Sequence, residues 1–292
     1  MSVQESISTV GGLLPAELLE RVRAGDPDLE GTSPESYGLV PGERLNDHIT
    51  RSWNRLRGIW EGYAKQLAAL PETDRATALT RQRWCRPLFD ELGFAGLPAA
   101  SGLEIDGKAY PISHEWGGHV PVHIMGARVG IDRRAPGVAG AASMSPHGLV
   151  QEFLNRSPNH LWGIVTNGSV LRILRDNATL TRQAYVEFDL QAMFDGELFS
   201  DFAVMWLTCH RTRFEGDPPE KCTLERWAAQ AAETGTRALD KLRDGVERAI
   251  VALGSGFVAH PANGALRDAV RRGDVPVADL QRQVLRVVYR LL

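Results

Sequence analysis

The stretch from Ser145 to Asp189 leaves a folding chain few choices. Ser145 offers a side-chain oxygen to cap a helix, and Pro146 suits its first position. Leu149, Val150, Phe153 and Leu154 then recur at helical spacing. Asn155 to Pro158 stop that helix. Trp162 to Thr166 form a short apolar run of strand type, and Asn167-Gly168 is a two-residue hairpin signal. Val170, Leu171, Ile173 and Leu174, interleaved with Arg172 and Arg175, predict the returning strand. Tyr185, Val186 and Phe188 begin another.

Around this stretch the pattern changes twice. Residues 1–42 carry scattered Gly, Pro and acidic residues and read as an irregular segment with one short helix at Leu13 to Val22. Leu45, Ile49, Trp53, Leu56, Trp60, Tyr63, Leu67 and Leu70 then trace one apolar stripe, ended by Pro71. Gly58 and Gly62 inside that helix cost about 1 kcal/mol each relative to alanine, so close packing against a neighbour is expected to compensate. A second helix is predicted from Thr73 to Leu92, kinked or divided at Pro87. Strands are predicted at Leu103 to Ile112 and at Val120 to Met125. Beyond the helix predicted at Phe199 to His210, Asp217-Pro218-Pro219 breaks the chain. The rest is helical: Leu239, Leu242, Val246, Ile250 and Leu253 make a stripe, and Gly254 to Gly264 reads as a loop. The final helix carries Leu280, Val284, Leu285, Val287, Val288, Leu291 and Leu292 and is apolar on more than one face. Three regions follow: the segment 1–42, an α/β module with its helices at 43–215, and a helical connector at 221–292 that is expected to continue or to meet a partner.

Bulk properties narrow the function classes. A net charge of -3 argues against a wholly basic nucleic-acid binder and leaves room for a local basic face. Cys85, Cys209 and Cys222 lie far apart with no CxxC pair, which disfavours a disulfide framework or cysteine-rich zinc site. No apolar run approaches the ~20 residues of a membrane helix, and a soluble, cytoplasmic protein without membrane contact is expected.

Several motifs imitate chemistry. His114-Glu115 with His119 and His123 invites a metal-protease reading, but the zincin spacing is four residues on a helix. Here it is five, broken by Gly117-Gly118, so ordinary hairpin polar residues are expected and no metal site. Asp217-Pro218-Pro219-Glu220 lacks the aromatic residue with which amino-group DNA methylases stack a flipped base. Gly254-Ser255-Gly256-Phe257 follows a helix instead of a strand, against the setting of a cofactor loop. Arg172, Arg175 and Arg182 surround the hairpin and are the candidates for phosphate contact; the alternative is the wet face of a half-solvated strand. Gln151 and Asn155 read as a solvated or capping pair.

The order helix 73–92, strand 103–112, strand 120–125, helix 146–155, strand 161–166 resembles the core of the PD-(D/E)xK nucleases, which hold Mg²⁺ with strand carboxylates and place a lysine nearby. The matching strand, Pro121 to Met125, carries neither carboxylate nor lysine. Glu104 and Asp106 lie one strand earlier, with Glu115 and Lys108 as further candidates for a divergent, Mg-dependent site.

Three stretches are similar to a second family: Leu70 to Phe94, Ser145 to Asp189, and Gln281 to Leu292. Together they resemble the N-terminal region of adenine-specific DNA methylases of the type IIG restriction–modification kind, including those of BREX- and DISARM-type phage defence. The resemblance implies an α/β mixed sheet of nuclease-like topology with a helical connector, truncated before the methylase motifs. It implies S-adenosylmethionine for the full-length family and no cofactor in this chain. It also implies double-stranded DNA as partner, and a methylase domain or partner subunit at the C-terminal helix. The expectation is a DNA-engaging or scaffolding module without its own catalytic residues. The alternatives are a divergent Mg-dependent PD-(D/E)xK-like endonuclease and a non-catalytic protein-interaction subunit.

Overall fold

The computed structural model of the protein describes residues 6–176 and 183–291. Its strands, in chain order, are β1 (Ile7–Val10), β2 (Leu103–Ile105), β3 (Lys108–Tyr110), β4 (His114–Trp116), β5 (Val120–Ile124), β6 (Trp162–Thr166), β7 (Val170–Arg175) and β8 (Tyr185–Asp189). The helices are α1 (Ala16–Ala24), α2 (Leu45–Ala69), α3 (Thr77–Leu79), α4 (Arg86–Glu91), α5 (Pro146–Arg156), α6 (Leu190–Asp195), α7 (Phe199–Cys209), α8 (Thr223–Ala259), α9 (Gly264–Arg272) and α10 (Val277–Leu291). Two units divide between Ala231 and Ala232.

The first unit is built on a six-stranded mixed sheet in the order β1-β8-β7-β6-β5-β4. Only the β5–β6 pair is parallel, and α5 makes the crossover between them. β6 is buried along its whole length, which is why Trp162 to Thr166 reads as a continuous apolar run and not an alternating one. Both faces of the sheet are covered. Ile164, Leu171, Ile173, Val186 and Phe188 join the larger core, while Val165 and Leu174 pack with Leu149, Val150, Phe153 and Leu154 of α5. Adjacent residues go to opposite cores because successive strand side chains alternate.

The predicted Ser145 cap is present: its Oγ accepts from the Gly148 N–H at 3.1 Å. The β6–β7 connection, however, is Asn167 to Ser169, one residue longer than a two-residue hairpin. Asn167 Oδ1 accepts from the Ser169 and Val170 N–H groups at 3.1 and 3.0 Å, stabilising the wider turn. Gly168 takes a φ of 82°, and a Cβ there would strike Thr80. Its carbonyl accepts from Trp84 Nε1 at 2.8 Å.

Four expectations are corrected. Leu103 to Ile112 is not one strand but a ribbon of β2 and β3, turned at Asp106-Gly107 and separate from the main sheet. Gly58 and Gly62 in α2 face open space, so close packing is not their compensation. The stripe of Ile49, Trp53, Leu56, Trp60 and Tyr63 is buried instead, with Trp60 against Trp84 and Phe194 at 4.9 and 5.6 Å. Residues 6–42 are not an irregular appendage. β1 completes the sheet edge against β8, and Asp201 Oδ2 accepts from the Ser6 N–H and Oγ–H at 3.0 and 2.7 Å. Arg213, 0% exposed, donates to the carbonyls of Gly31 and Ser36 with its guanidinium 3.8 Å over Tyr37. Finally, α8 continues through Gly254 to Ala259, where a loop is predicted.

The second unit holds the remainder of α8 with α9 and α10. Val284 and Val288 of α10 are buried, whereas Tyr289 is 67% exposed, so this helix covers one stripe and not its whole circumference. No single helix among the described residues is long and apolar enough to cross a membrane.

Candidate nucleic-acid interface

Arg172 sits on β7 with 2% of its surface exposed. Its Nη1 and Nη2 donate to the Asp132 carboxylate at 2.7 and 3.1 Å, and Nε donates to Glu187 Oε2 at 3.0 Å. The guanidinium also lies 3.9 Å over the Tyr185 ring and donates to His147 Nδ1 at 2.8 Å. Those hydrogen bonds hold the Asp132 carboxyl below the usual carboxylate range. Burial first, and Arg172 second, push His147 down to about 4. Two carboxylates and an aromatic face thus enclose the one charge, and Arg172 is not available to a phosphate, contrary to the sequence-based expectation. Arg175 makes a bidentate pair with Glu225, 2.9 Å from Nε and 2.6 Å from Nη2. It anchors the first turn of α8, so phosphate contact from it is also not supported. Arg182 lies outside the described residues.

The candidates for a metal-dependent site divide between the β2–β3 ribbon and β4. Glu104 and Lys108 are on the separate ribbon, and Asp106 occupies its turn with a φ of 52°. Lys108 pairs with Glu152 of α5, which also accepts from Tyr110 at 2.9 Å. Glu115 on β4 is 2.9 Å from His160 Nε2, and His160 Nδ1 is 2.6 Å from Ser157 Oγ. That Ser157–His160–Glu115 chain ties the end of α5 to the sheet edge. His123 is buried, with Nδ1 accepting from the Ser113 N–H and Nε2 donating to the Gly140 carbonyl. Among the described residues no three His, Cys, Asp or Glu side chains gather as a metal-ligand group.

The structure assembles a different cluster, at the carboxyl end of β5. From Thr77 to Glu91 the chain is one helix whose middle, Thr80–Cys85, is a π turn joining α3 to α4. Pro87 is the cause. In a regular α-helix its ring would meet the Arg83 carbonyl and its missing N–H would leave that carbonyl unbonded. The wider turn lets the Arg86 N–H donate to the Arg81 carbonyl, five residues back. The loop after β5 docks beneath the start of this helix. Gly126 lies so close to the Arg75 carbonyl that any Cβ would collide, and the Ala127 N–H donates to Thr80 Oγ1 at 3.1 Å.

A cleft of about 420 Å³ opens beside the π turn. Arg81, Gln82 and Arg86 line it with Asp90, His114 and the apolar Leu97. Arg81 donates from Nε and Nη2 to the Ile124 carbonyl at 3.0 and 2.7 Å, which fixes the plane of its guanidinium without neutralising it. Arg86 is exposed, and among the described residues its guanidinium has no hydrogen-bond or ion-pair partner. Burial, with Arg81 nearby, pushes His114 down to about 4, so its ring is neutral at pH 7. Across Gln82 a second depression of about 300 Å³ is lined by Asp74, Leu79 and Arg83. Arg83 and Arg75 are exposed and unpaired among the described residues.

None of Arg81, Gln82, Arg83 or Arg86 is singled out by sequence reasoning. The available signal was the run Arg81-Gln82-Arg83 followed by Arg86, with no acidic residue within it. No family model matches the chain, and no curated protein or solved structure matches it.

Proposed function

We propose that this chain is a DNA-engaging or scaffolding module, of the kind found at the front of adenine-specific restriction–modification and phage-defence methylases, and that it performs no chemistry itself. The observation that carries DNA engagement is the set of arginines on one helix at the end of β5. Arg83 and Arg86 are unpaired, and Arg81 is bonded only to a carbonyl. Unpaired guanidinium groups on a rigid helix suit phosphate oxygens, which position a protein on nucleic acid without reading sequence. The β4–β5 hairpin, the crossover helix α5 and the parallel strand β6 support a nuclease-like topology. Glu104, Asp106 and Lys108 lie on a ribbon apart from the main sheet, Lys108 is paired with Glu152 and Glu115 with His160, which favours the non-catalytic form of it.

Fluorescence anisotropy with a short blunt DNA duplex at low salt tests the reading. Arg83→Glu with Arg86→Glu should weaken binding at least about ten-fold and make the salt dependence shallower by about 2 in logarithmic slope. Absence of binding at any salt overturns DNA engagement in favour of a protein-only scaffold. Incubation of plasmid with Mg²⁺ or Mn²⁺ tests the other half: cleavage abolished by Asp106→Ala would overturn the non-catalytic assignment.

A further inference from the structure

The cleft beside the π turn is built differently from a surface that tracks a duplex. It is concave, and its volume of about 420 Å³ falls in the range of small-molecule sites, ~300–1,000 Å³. It opens at the carboxyl end of β5, the strand joining the parallel and antiparallel parts of the sheet, where open α/β sheets place ligands. Its polar groups are of three kinds. Arg81 and Arg86 supply positive charge, the former held rigid by two hydrogen bonds to one carbonyl. Gln82 and His114 carry neutral groups, and Asp90 a carboxylate that, among the described residues, accepts only one long hydrogen bond, 3.3 Å from the Gly96 N–H. Phe89, Leu97 and Ile124 complete an apolar wall. A guanidinium pair beside an apolar wall with amide, imidazole and carboxylate groups matches the parts of a nucleotide: one phosphate, one flat face and one hydrogen-bonding edge.

We propose that this cleft receives a single unpaired nucleotide unit, its phosphate on Arg81 and Arg86 and its base edge toward Gln82 and Asp90. The assignment rests on the DNA-engaging reading and narrows it: a strand end or an extruded nucleotide is held here, while Arg75 and Arg83, outside the cleft, meet the continuous backbone. The same chemistry is offered by a free nucleoside monophosphate, so the test carries both sources.

Anisotropy is measured with a blunt duplex and with the same duplex bearing one unpaired 5′-phosphorylated nucleotide, each for wild type, Arg86→Ala, Gln82→Leu and Arg83→Ala. Deoxynucleoside monophosphates, with inorganic phosphate as control, serve as competitors. The unpaired end should tighten binding about ten-fold, the size of one well-held base. Arg86→Ala and Gln82→Leu should erase that difference, and Arg83→Ala should weaken both duplexes equally. Monophosphates should compete for the overhang duplex better than phosphate does. Equal binding of the two duplexes in wild type overturns the cleft assignment and leaves DNA engagement standing. Monophosphate binding that is lost in Arg86→Ala, without binding of either duplex, overturns DNA engagement and supports the cleft as a free-nucleotide site. No binding of any probe overturns both. Thermal melts of each variant separate loss of the site from loss of the fold.

Discussion

Two groups of arginines, on β7 and on the helix Thr77–Glu91, meet opposite fates. Arg172 and Arg175 stand three apart among apolar residues, and so leave β7 on opposite faces; Arg172 is buried between Asp132 and Glu187, and Arg175 is clamped by Glu225. Arg83 and Arg86 lie among helix-forming residues and meet no carboxylate among the described residues. The difference teaches that a cation's availability depends on which carboxylates the fold brings to it, because pairing cancels the charge that a ligand would feel. The β7 arginines therefore belong to stability, and the helix arginines keep a charge that a ligand could meet.

The largest effect that would sharpen this contrast is Arg172→Ala. Removing one partner of a buried pair leaves Glu187 and His147 without theirs, and about 3 kcal/mol of stability should be lost. Asp132, whose side chain is 58% exposed, rehydrates and keeps the loss at the low end. Urea titration measures it, and duplex affinity per folded molecule should be unchanged. A large affinity loss in the folded fraction would break the contrast.

Acidity probes the same cluster. His147 is neutral in the folded chain, with its pKa lowered from 6.5 to about 4 by burial and by Arg172. Between those values the unfolded chain binds a proton that the folded one does not, so stability falls as pH falls through this window. The contribution has a slope of up to roughly 1.4 kcal/mol per pH unit. Below about 4 both states are protonated and the loss stops growing. Urea titrations of His147→Gln and wild type from pH 7 to pH 4 should show a flatter dependence in the variant; identical slopes would remove His147 from the account.

Arg175→Ala should cost about 1 kcal/mol or less, since its pair with Glu225 is partly exposed. Hydrogen exchange at the first turn of α8 should report it more sensitively than the global melt. Arg86→Ala should change stability least, within about 0.5 kcal/mol. Among these four substitutions it should change nucleic-acid affinity most, which inverts the stability order. An Arg86→Ala variant that melts early while binding normally would undo the comparison.

Much of the fold was legible and little of the site. Helical spacing identified α2 and α5, Ser145 marked the cap of α5, a continuous apolar run identified β6, and apolar residues interleaved with Arg172 and Arg175 identified β7, because each signal is written in neighbouring residues. β1 was not legible: its pairing with β8 spans most of the chain, and Ile7–Val10 carries no periodicity of its own. The split of Leu103 to Ile112 has a local signal, the turn pair Asp106-Gly107, but the apolar pattern runs on across it.

What the sequence by itself determined is therefore local: the helices, the order of the central strands, and the obstacle that Pro87 places in the helix Thr77–Glu91. Only the tertiary structure decided how that obstacle is accommodated. The π turn sets Arg81 against the Ile124 carbonyl and opens a cleft beside His114. It likewise decided that Arg172 faces Asp132 and Glu187, forty and fifteen residues away in the chain. Charge is a property of a residue, but its pairing is a property of distance in space, and spacing along the chain does not encode that distance.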